Sequence, residues 1–247
     1  MSTAPLFLVD ELPVGDHTVL DGPEGRHAAT VRRLRPGETV QLADGRGGLA
    51  EAVVAAAGRD SLDLTVTGRT RLAPPAPRVL VAQALVKGDR GELAVELATE
   101  AGVDGILPWR AARCVARWEQ GPRGAKALGR WRSTAREAAK QARRPWLPVV
   151  EDPVTTGELA RRVGGVDLAL VLHESAGDRL GELGPELSAA GEVLLAVGPE
   201  GGVSDEELAA LTAAGARPVR LGPDVLRAST AAAVALGALG VLTGRWD

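Results

Sequence analysis

The feature that most constrains the fold is a change of hydrophobic pattern on either side of RLAPPAP, Arg71 to Pro77. Proline fixes φ and lacks a backbone donor, so three prolines in seven residues exclude helix interior and read as a semi-rigid linker. Beyond it, RVLVAQAL, GILPW, VDLALVLHE, EVLLAVGPE and RPVRLGP are apolar runs of the kind that a strand buried on both faces requires. Helix-like segments separate them. GELAVELATEAG places Leu93, Leu97 and Ala101 at helical spacing and stops at Gly102. A long basic segment at about 123–142, stretches around 178–190 and 204–214, and the alanine-rich STAAAVALGALGVLTGRW follow. Strands alternating with helices predict an α/β domain with a mostly parallel sheet. Before the linker, HTVLDG, ETVQLADG, GLAEAVVAAAG and SLDLTVTG are short β-rich runs closed by glycine turns, too few for a sandwich, and predict a small β-barrel. EGRHAATVRRLRPGE inserts a short helical stretch. The expected domains are residues 1–72 and 73–247.

Two loops carry candidate chemistry. In LAVGPEGGVSDEEL, Leu195 to Leu208, an apolar run ends at Gly198-Pro199, and Ser204 with Glu207 forms a capping-box pattern that starts a helix. A strand-to-helix turn rich in glycine suits close backbone approach to a ligand. It matches neither of the common phosphate-binding glycine patterns, and Glu200 would repel a phosphate. A hydroxyl, an amine or a positive centre fits better. VRLGPDVLRAST repeats the design: a strand ends at Leu221, Gly222-Pro223 turns the chain, and Ser229 or Thr230 can cap the next helix. Two such turns side by side would form one cavity wall, with Arg227 between turn and helix and His173 at a third strand end.

Net charge is −3, yet Arg110 to Arg144 carries eleven Lys/Arg against two acidic residues, a local +9. That segment includes Trp118, Trp131 and Trp146, with Trp109 just before it. Arginine and lysine neutralise phosphates and aromatics stack on unpaired bases, so the pattern points to RNA. Cys114 is the lone cysteine and the three histidines are scattered, which argues against an intramolecular disulfide and a metal site. No apolar run reaches about 18 residues, so no membrane span is expected. The N-terminal stretch lacks a basic region before its apolar residues and reads poorly as a signal peptide, which predicts a cytoplasmic protein.

GPEGGVSDEEL followed by LGPDVLRASTAAAVALGAL resembles the signature of the RsmE family, methyltransferases of the SPOUT class that use S-adenosylmethionine to methylate uridine N3 in 16S ribosomal RNA. HAATVRRLRPGE with ADGRGG resembles that family's PUA-like barrel, and ELATEAGVDGILP with EAAKQARRP its middle region, so the likeness spans nearly the whole chain. The resemblance implies a trefoil-knotted C-terminal SPOUT domain, a homodimer, and a cofactor held largely by backbone. Carried over by position, the cofactor contacts are Leu172, Gly198, Glu200, Gly201, Gly202, Leu221, Gly222, Leu226, Arg227, Ala228, Ser229, Thr230 and Ala231. Ser229 stands where family members often have glutamate, a position expected to cap the helix.

The expected substrate is 16S ribosomal RNA or the small ribosomal subunit, contacted by Arg26, Arg32 and Arg33 in the barrel and by Lys140, Gln141, Arg143 and Arg144. Methylating uracil N3 requires loss of its proton, so a cation that stabilises the developing anion would help. Arg227 is the candidate for that role and Glu200 the candidate carboxylate; the general base is unassigned. No metal is required. A SPOUT ribose 2′-O-methyltransferase and a non-catalytic RNA-binding ribosome assembly factor are the alternatives. Intact glycine turns argue against the second, and a small-molecule nucleotide enzyme leaves the +9 segment unexplained.

Overall fold

The computed structural model describes residues 4–119 and 121–246. They form two compact units. The first runs to Pro74 and also takes in Ala139–Leu147; the second comprises Pro75–Ala138 and the chain from Pro148 onward. A single cut at 72/73 does not anticipate that return of the chain.

The first unit is built on a five-stranded sheet in the order β1-β3-β4-β5-β2. Its strands are β1 (Leu6–Leu8), β2 (His17–Leu20), β3 (Thr39–Ala43), β4 (Gly48–Ala57) and β5 (Leu62–Arg71). β1 lies parallel to β3 and the remaining pairs are antiparallel. Register shifts at Glu51/Ala52 and Val54/Ala56 interrupt the long β4–β5 ribbon, and bulges of this kind bend a sheet around its core. Phe7, Leu20, Val40, Leu42, Val54, Leu62 and Leu64 form that core. Alternate residues of β4 are buried from Gly48 through Val54, as a sheet with one covered face demands. The short helix α1 (Gly22–Arg26) runs into a π-helical turn, His27–Val31.

The second unit has a parallel sheet in the order β12-β10-β11-β6-β7-β8, with β9 also paired to β7. Here β6 is Arg78–Ala84, β7 Gly105–Arg110, β8 Val149–Val150, β9 Val154–Thr155, β10 Leu168–Leu172, β11 Glu192–Val197 and β12 Arg217–Val219. Pro108 explains why β8 and β9 are separate. It has no N–H to give, and the two short strands pair with β7 on either side of it. Of the helices α2 (Arg90–Glu100), α3 (Pro122–Gln141), α4 (Thr156–Val163), α5 (Gly184–Ala189), α6 (Asp205–Ala213) and α7 (Ala228–Leu242), α7 packs on α2 and α5 and α4 packs on α6. The expected face of α2 is corrected. Gly91, Ala94, Val95 and Ala98 are buried, whereas Leu93 is 42% exposed. Trp131 lies against the helix at Gly91, where a Cβ would sit 3.0 Å from its Nε1.

Candidate functional site

Strands β12, β10 and β11 are adjacent and parallel, so their C-terminal ends emerge side by side. In open α/β sheets ligands bind outside those ends. The three loops enclose a cavity of about 460 Å³, within the range of small-ligand sites. Leu172 and His173 come from the end of β10, Gly198 to Val203 from the turn after β11, and Arg220 to Gly222 with Asp224 to Ala228 from the turn after β12. The His173 ring is engaged locally, its Nδ1 3.0 Å from Ser175 Oγ.

The turn after β11 is held by protein contacts. Ser204 Oγ caps α6 by accepting from the Glu207 N–H, and the Glu207 carboxylate accepts in return from the Ser204 N–H, the expected capping box. Glu207 does more than cap. It is 6% exposed, and its Oε1 accepts from Ala112 N at 2.8 Å and Thr156 Oγ1 at 2.7 Å. Thr156 Oγ1 in turn accepts from Trp109 Nε1 at 3.1 Å. Arg113 Nη1 donates to Gly201 O at 3.2 Å. The glycines serve the same packing. A Cβ on Gly198 would lie 2.8 Å from Val203 Cγ2, one on Gly201 3.1 Å from Arg113 Cβ, and Gly202 has φ +75°. Buried Cys114 belongs to this neighbourhood. Burial pushes its thiol pKa up, and the fields of Glu207 and Glu200 add to the effect.

The turn after β12 is open. A Cβ on Gly222 would meet nothing within 4 Å. Pro223 to Arg227 are all exposed, Val225 at 80% and Leu226 at 37%. Arg227 has an extended backbone (φ −64°, ψ 145°) and occupies the N-cap of α7 with no side-chain cap. The expected capping by Ser229 or Thr230 is therefore corrected. Both are already inside the first helical turn, and Ser229 is 5% exposed. Neither lines the cavity, whereas Ala228 and Ala231, three apart on one helix face, do.

Matches to known proteins agree with this arrangement. Residues 74–240 match the family model of an RNA methyltransferase domain, and residues 20–67 that of an RNA methyltransferase PUA domain. The ribosomal RNA small subunit methyltransferase E of Mycobacterium bovis is 55% identical over 249 residues, which span 99% of this chain and 94% of that one. The chain belongs to the RsmE family. The counterpart from Neisseria gonorrhoeae, solved bound to S-adenosyl methionine, superposes with a TM-score of 0.86 at 27% identity, covering 97% of this chain and 98% of that one. A methyltransferase from Legionella pneumophila in complex with SAM gives 0.85 at 27% identity over 97% and 98%. The α/β fold with an N-terminal PUA-like unit is the RsmE architecture.

Of the RsmE positions carried over by resemblance, Leu172, Gly198, Glu200, Gly201, Gly202, Leu221, Gly222, Leu226, Arg227, Ala228 and Ala231 surround the one cavity. Glu200 and Arg227 are exposed at its rim. The residues expected to meet RNA gather in the first unit. Arg26, Arg32, Arg33, Gln141 and Arg143 are exposed and Arg144 is half-buried. Lys140 is corrected: its Nζ lies 2.9 Å from Glu24 Oε1, with side chains only 9% and 13% exposed, so its charge is spent inside the unit. Arg33 (φ 55°) and Arg143 (φ 53°) are, among the described residues, the two non-glycine positions in the left-handed region. Arg143 closes α3 as its N–H bonds Lys140 O and that of Arg144 bonds Ala139 O, a helix end where glycine is usual. The tryptophans divide. Trp109 and Trp131 are core, Trp146 Nε1 is bound to Ala73 O, and Trp118 is half-exposed, edge-on to Trp131 at 4.9 Å. Sequence reasoning missed Thr156 and Arg113, which brace the turn. Neither is marked by a motif of its own; Thr156 only follows Thr155, which caps α4 in a capping box with Glu158. Among the described residues no cluster of His, Cys, Asp and Glu could hold a metal ion, and no helix is long and apolar enough to cross a membrane.

Proposed function

We propose that the protein transfers a methyl group from S-adenosylmethionine to N3 of a uridine in 16S ribosomal RNA. The observation that carries this reading is the cavity at the ends of β10, β11 and β12 in a chain of the RsmE family. Its residues fit the donor. The volume suits an adenosine-sized ligand, Gly222 leaves its side of the wall open, and carboxylates of Glu174, Glu200 and Asp224 on the lining complement a cationic centre. Bound S-adenosylmethionine supplies a methyl group on a positively charged sulfur. Backbone groups of the two glycine turns hold the donor, and the apolar side chains of Leu172, Val197 and Leu226 exclude water from it. The guanidinium of Arg227 faces the developing negative charge on the uracil ring as N3 loses its proton and attacks carbon. Among the described residues, no carboxylate pairs with Arg227 to compete for that charge. Glu200 offers the opposite charge across the rim.

The RNA is gripped by Arg26, Arg32, Arg33, Gln141, Arg143 and Arg144 of the first unit. The left-handed backbone at Arg33 and Arg143 supports this reading, because such strain persists where function demands a side-chain direction. The protein acts in the cytoplasm as a homodimer. Val234, Ala238 and Val241 form an exposed or half-exposed apolar stripe along α7, which a second copy would cover. The test is methylation of small-subunit RNA and of assembled subunits with labelled donor, followed by nucleoside analysis. N3-methyluridine is expected; a 2′-O-methylated nucleoside, or no transfer to either substrate, contradicts the proposal.

A further inference from the structure

Beside the donor cavity lies a second cleft of about 310 Å³, lined by Arg179, Arg220, Leu221, Gly222 and Pro223. Its two arginines are placed by backbone hydrogen bonds. Arg220 N donates to Asp178 O at 2.8 Å, and Leu180 N donates to Arg220 O at 3.0 Å. Arg179 and Arg220 are thereby directly opposite in a parallel bridge. Residues opposite each other in a ladder project from the same face, on backbones about 4.8 Å apart. Like charges in that position repel. No carboxylate lines the cleft, and among the described residues neither arginine has an ion pair or a side-chain hydrogen bond. Carboxylates are at hand, yet they go elsewhere. Arg217, three residues before Arg220, takes both Asp178 and Glu186.

We propose that the Arg179–Arg220 cleft is an oxyanion site that binds a backbone phosphate of the substrate RNA next to the nucleotide being methylated. Two guanidiniums carried on one cleft supply the charged donors that phosphate oxygens accept. The location fits as well. Arg220, Leu221 and Gly222 line both cleft and donor cavity, so a phosphate held here places its nucleotide beside the donor cavity. A phosphate contact carries no sequence information; it sets register, which a transferring enzyme needs at its reactive end.

This inference rests on RNA being the substrate, and the experiment separates the two. Wild type and the Arg179→Gln/Arg220→Gln double variant are titrated with transcribed 16S ribosomal RNA across a series of potassium chloride concentrations, and with S-adenosylmethionine by calorimetry. The double variant is expected to bind RNA about tenfold more weakly near 0.1 M salt, with a salt slope shallower by about one. The single variant Arg179→Gln, at the member of the pair that does not line the donor cavity, is expected to keep donor affinity within about twofold of wild type. Arg179→Lys/Arg220→Lys keeps the slope, because the charge remains. If the double variant fails to fold, Arg179→Glu at the exposed member of the pair gives the same readout. Unchanged RNA affinity and slope overturn the proposal. So does a loss of donor affinity beyond twofold in Arg179→Gln, which assigns the cleft to the donor's own carboxylate. Failure of the wild type to form N3-methyluridine while the slopes differ contradicts the proposed function and leaves the phosphate site standing.

Discussion

The two Gly-Pro turns read alike in sequence and differ in what holds them. After β11, each glycine is spoken for by the protein: Gly198 by Val203, Gly201 by Arg113, Gly202 by its positive φ. A buried carboxylate, Glu207, ties that turn to the Ala112 backbone and, through Thr156, to Trp109. After β12, Gly222 faces open space, the next five residues are exposed, and α7 begins without a side-chain cap. One turn is a preorganised wall; the other is shaped to be completed by what binds. A glycine in a motif is therefore not by itself a mark of ligand approach. Three of these four glycines are needed for packing or backbone conformation, and only the fourth leaves room.

The largest effect on stability is expected at the centre of the braced turn. Glu207→Ala leaves the part-buried Ala112 N–H and Thr156 hydroxyl without their acceptor and removes the capping box, at a cost of about 1–3 kcal/mol in urea unfolding. Gly198→Ala forces its methyl group against the β-branched Val203 and costs about 1–3 kcal/mol by the same measurement. If either variant unfolds like wild type, the first turn is not braced as described. Arg143→Gly, away from both turns, is expected to stabilise the protein by about 1 kcal/mol by relieving a left-handed arginine, while weakening RNA binding. A gain in stability without loss of RNA affinity would remove Arg143 from the RNA surface. The smallest effect is kinetic. Burial raises the Cys114 pKa, so at pH 8 the thiol is mostly protonated and alkylates more slowly than a free cysteine. Labelling should accelerate in Glu207→Ala and stay slow in variants of the second turn.

Much of the architecture was legible because it depends on local pattern. Apolar runs ending at Gly-Pro marked β11 and β12, and Ser204 with Glu207 marked the start of α6. What escaped were facts set by tertiary partners. Leu93 has the right spacing for a core face, but the helix buries Gly91, Ala94, Val95 and Ala98 instead, with Trp131 closing on Gly91, and the leucine faces outward. Lys140 reads as one more cation in a basic run until Glu24, far off in sequence, buries it. Ser229 and Thr230 look like caps because the helix start is ambiguous by one turn from composition alone; the extended backbone at Arg227 decides it. The cavity lining was recovered through the two motifs, whereas the bracing by Thr156, Ala112 and Arg113 depends on a chain return that no spacing encodes.

The unequal turns can be tested with one substitution. Gly222→Val adds a side chain where the protein offers no obstacle and the proposed donor needs space. Calorimetric titration with S-adenosylmethionine, paired with urea unfolding of the same sample, is predicted to show donor affinity reduced by about tenfold or more, with stability within about 0.5 kcal/mol of wild type. Donor binding equal to wild type in a folded Gly222→Val protein would contradict the claim that the second turn is the open side of the methyl-donor site.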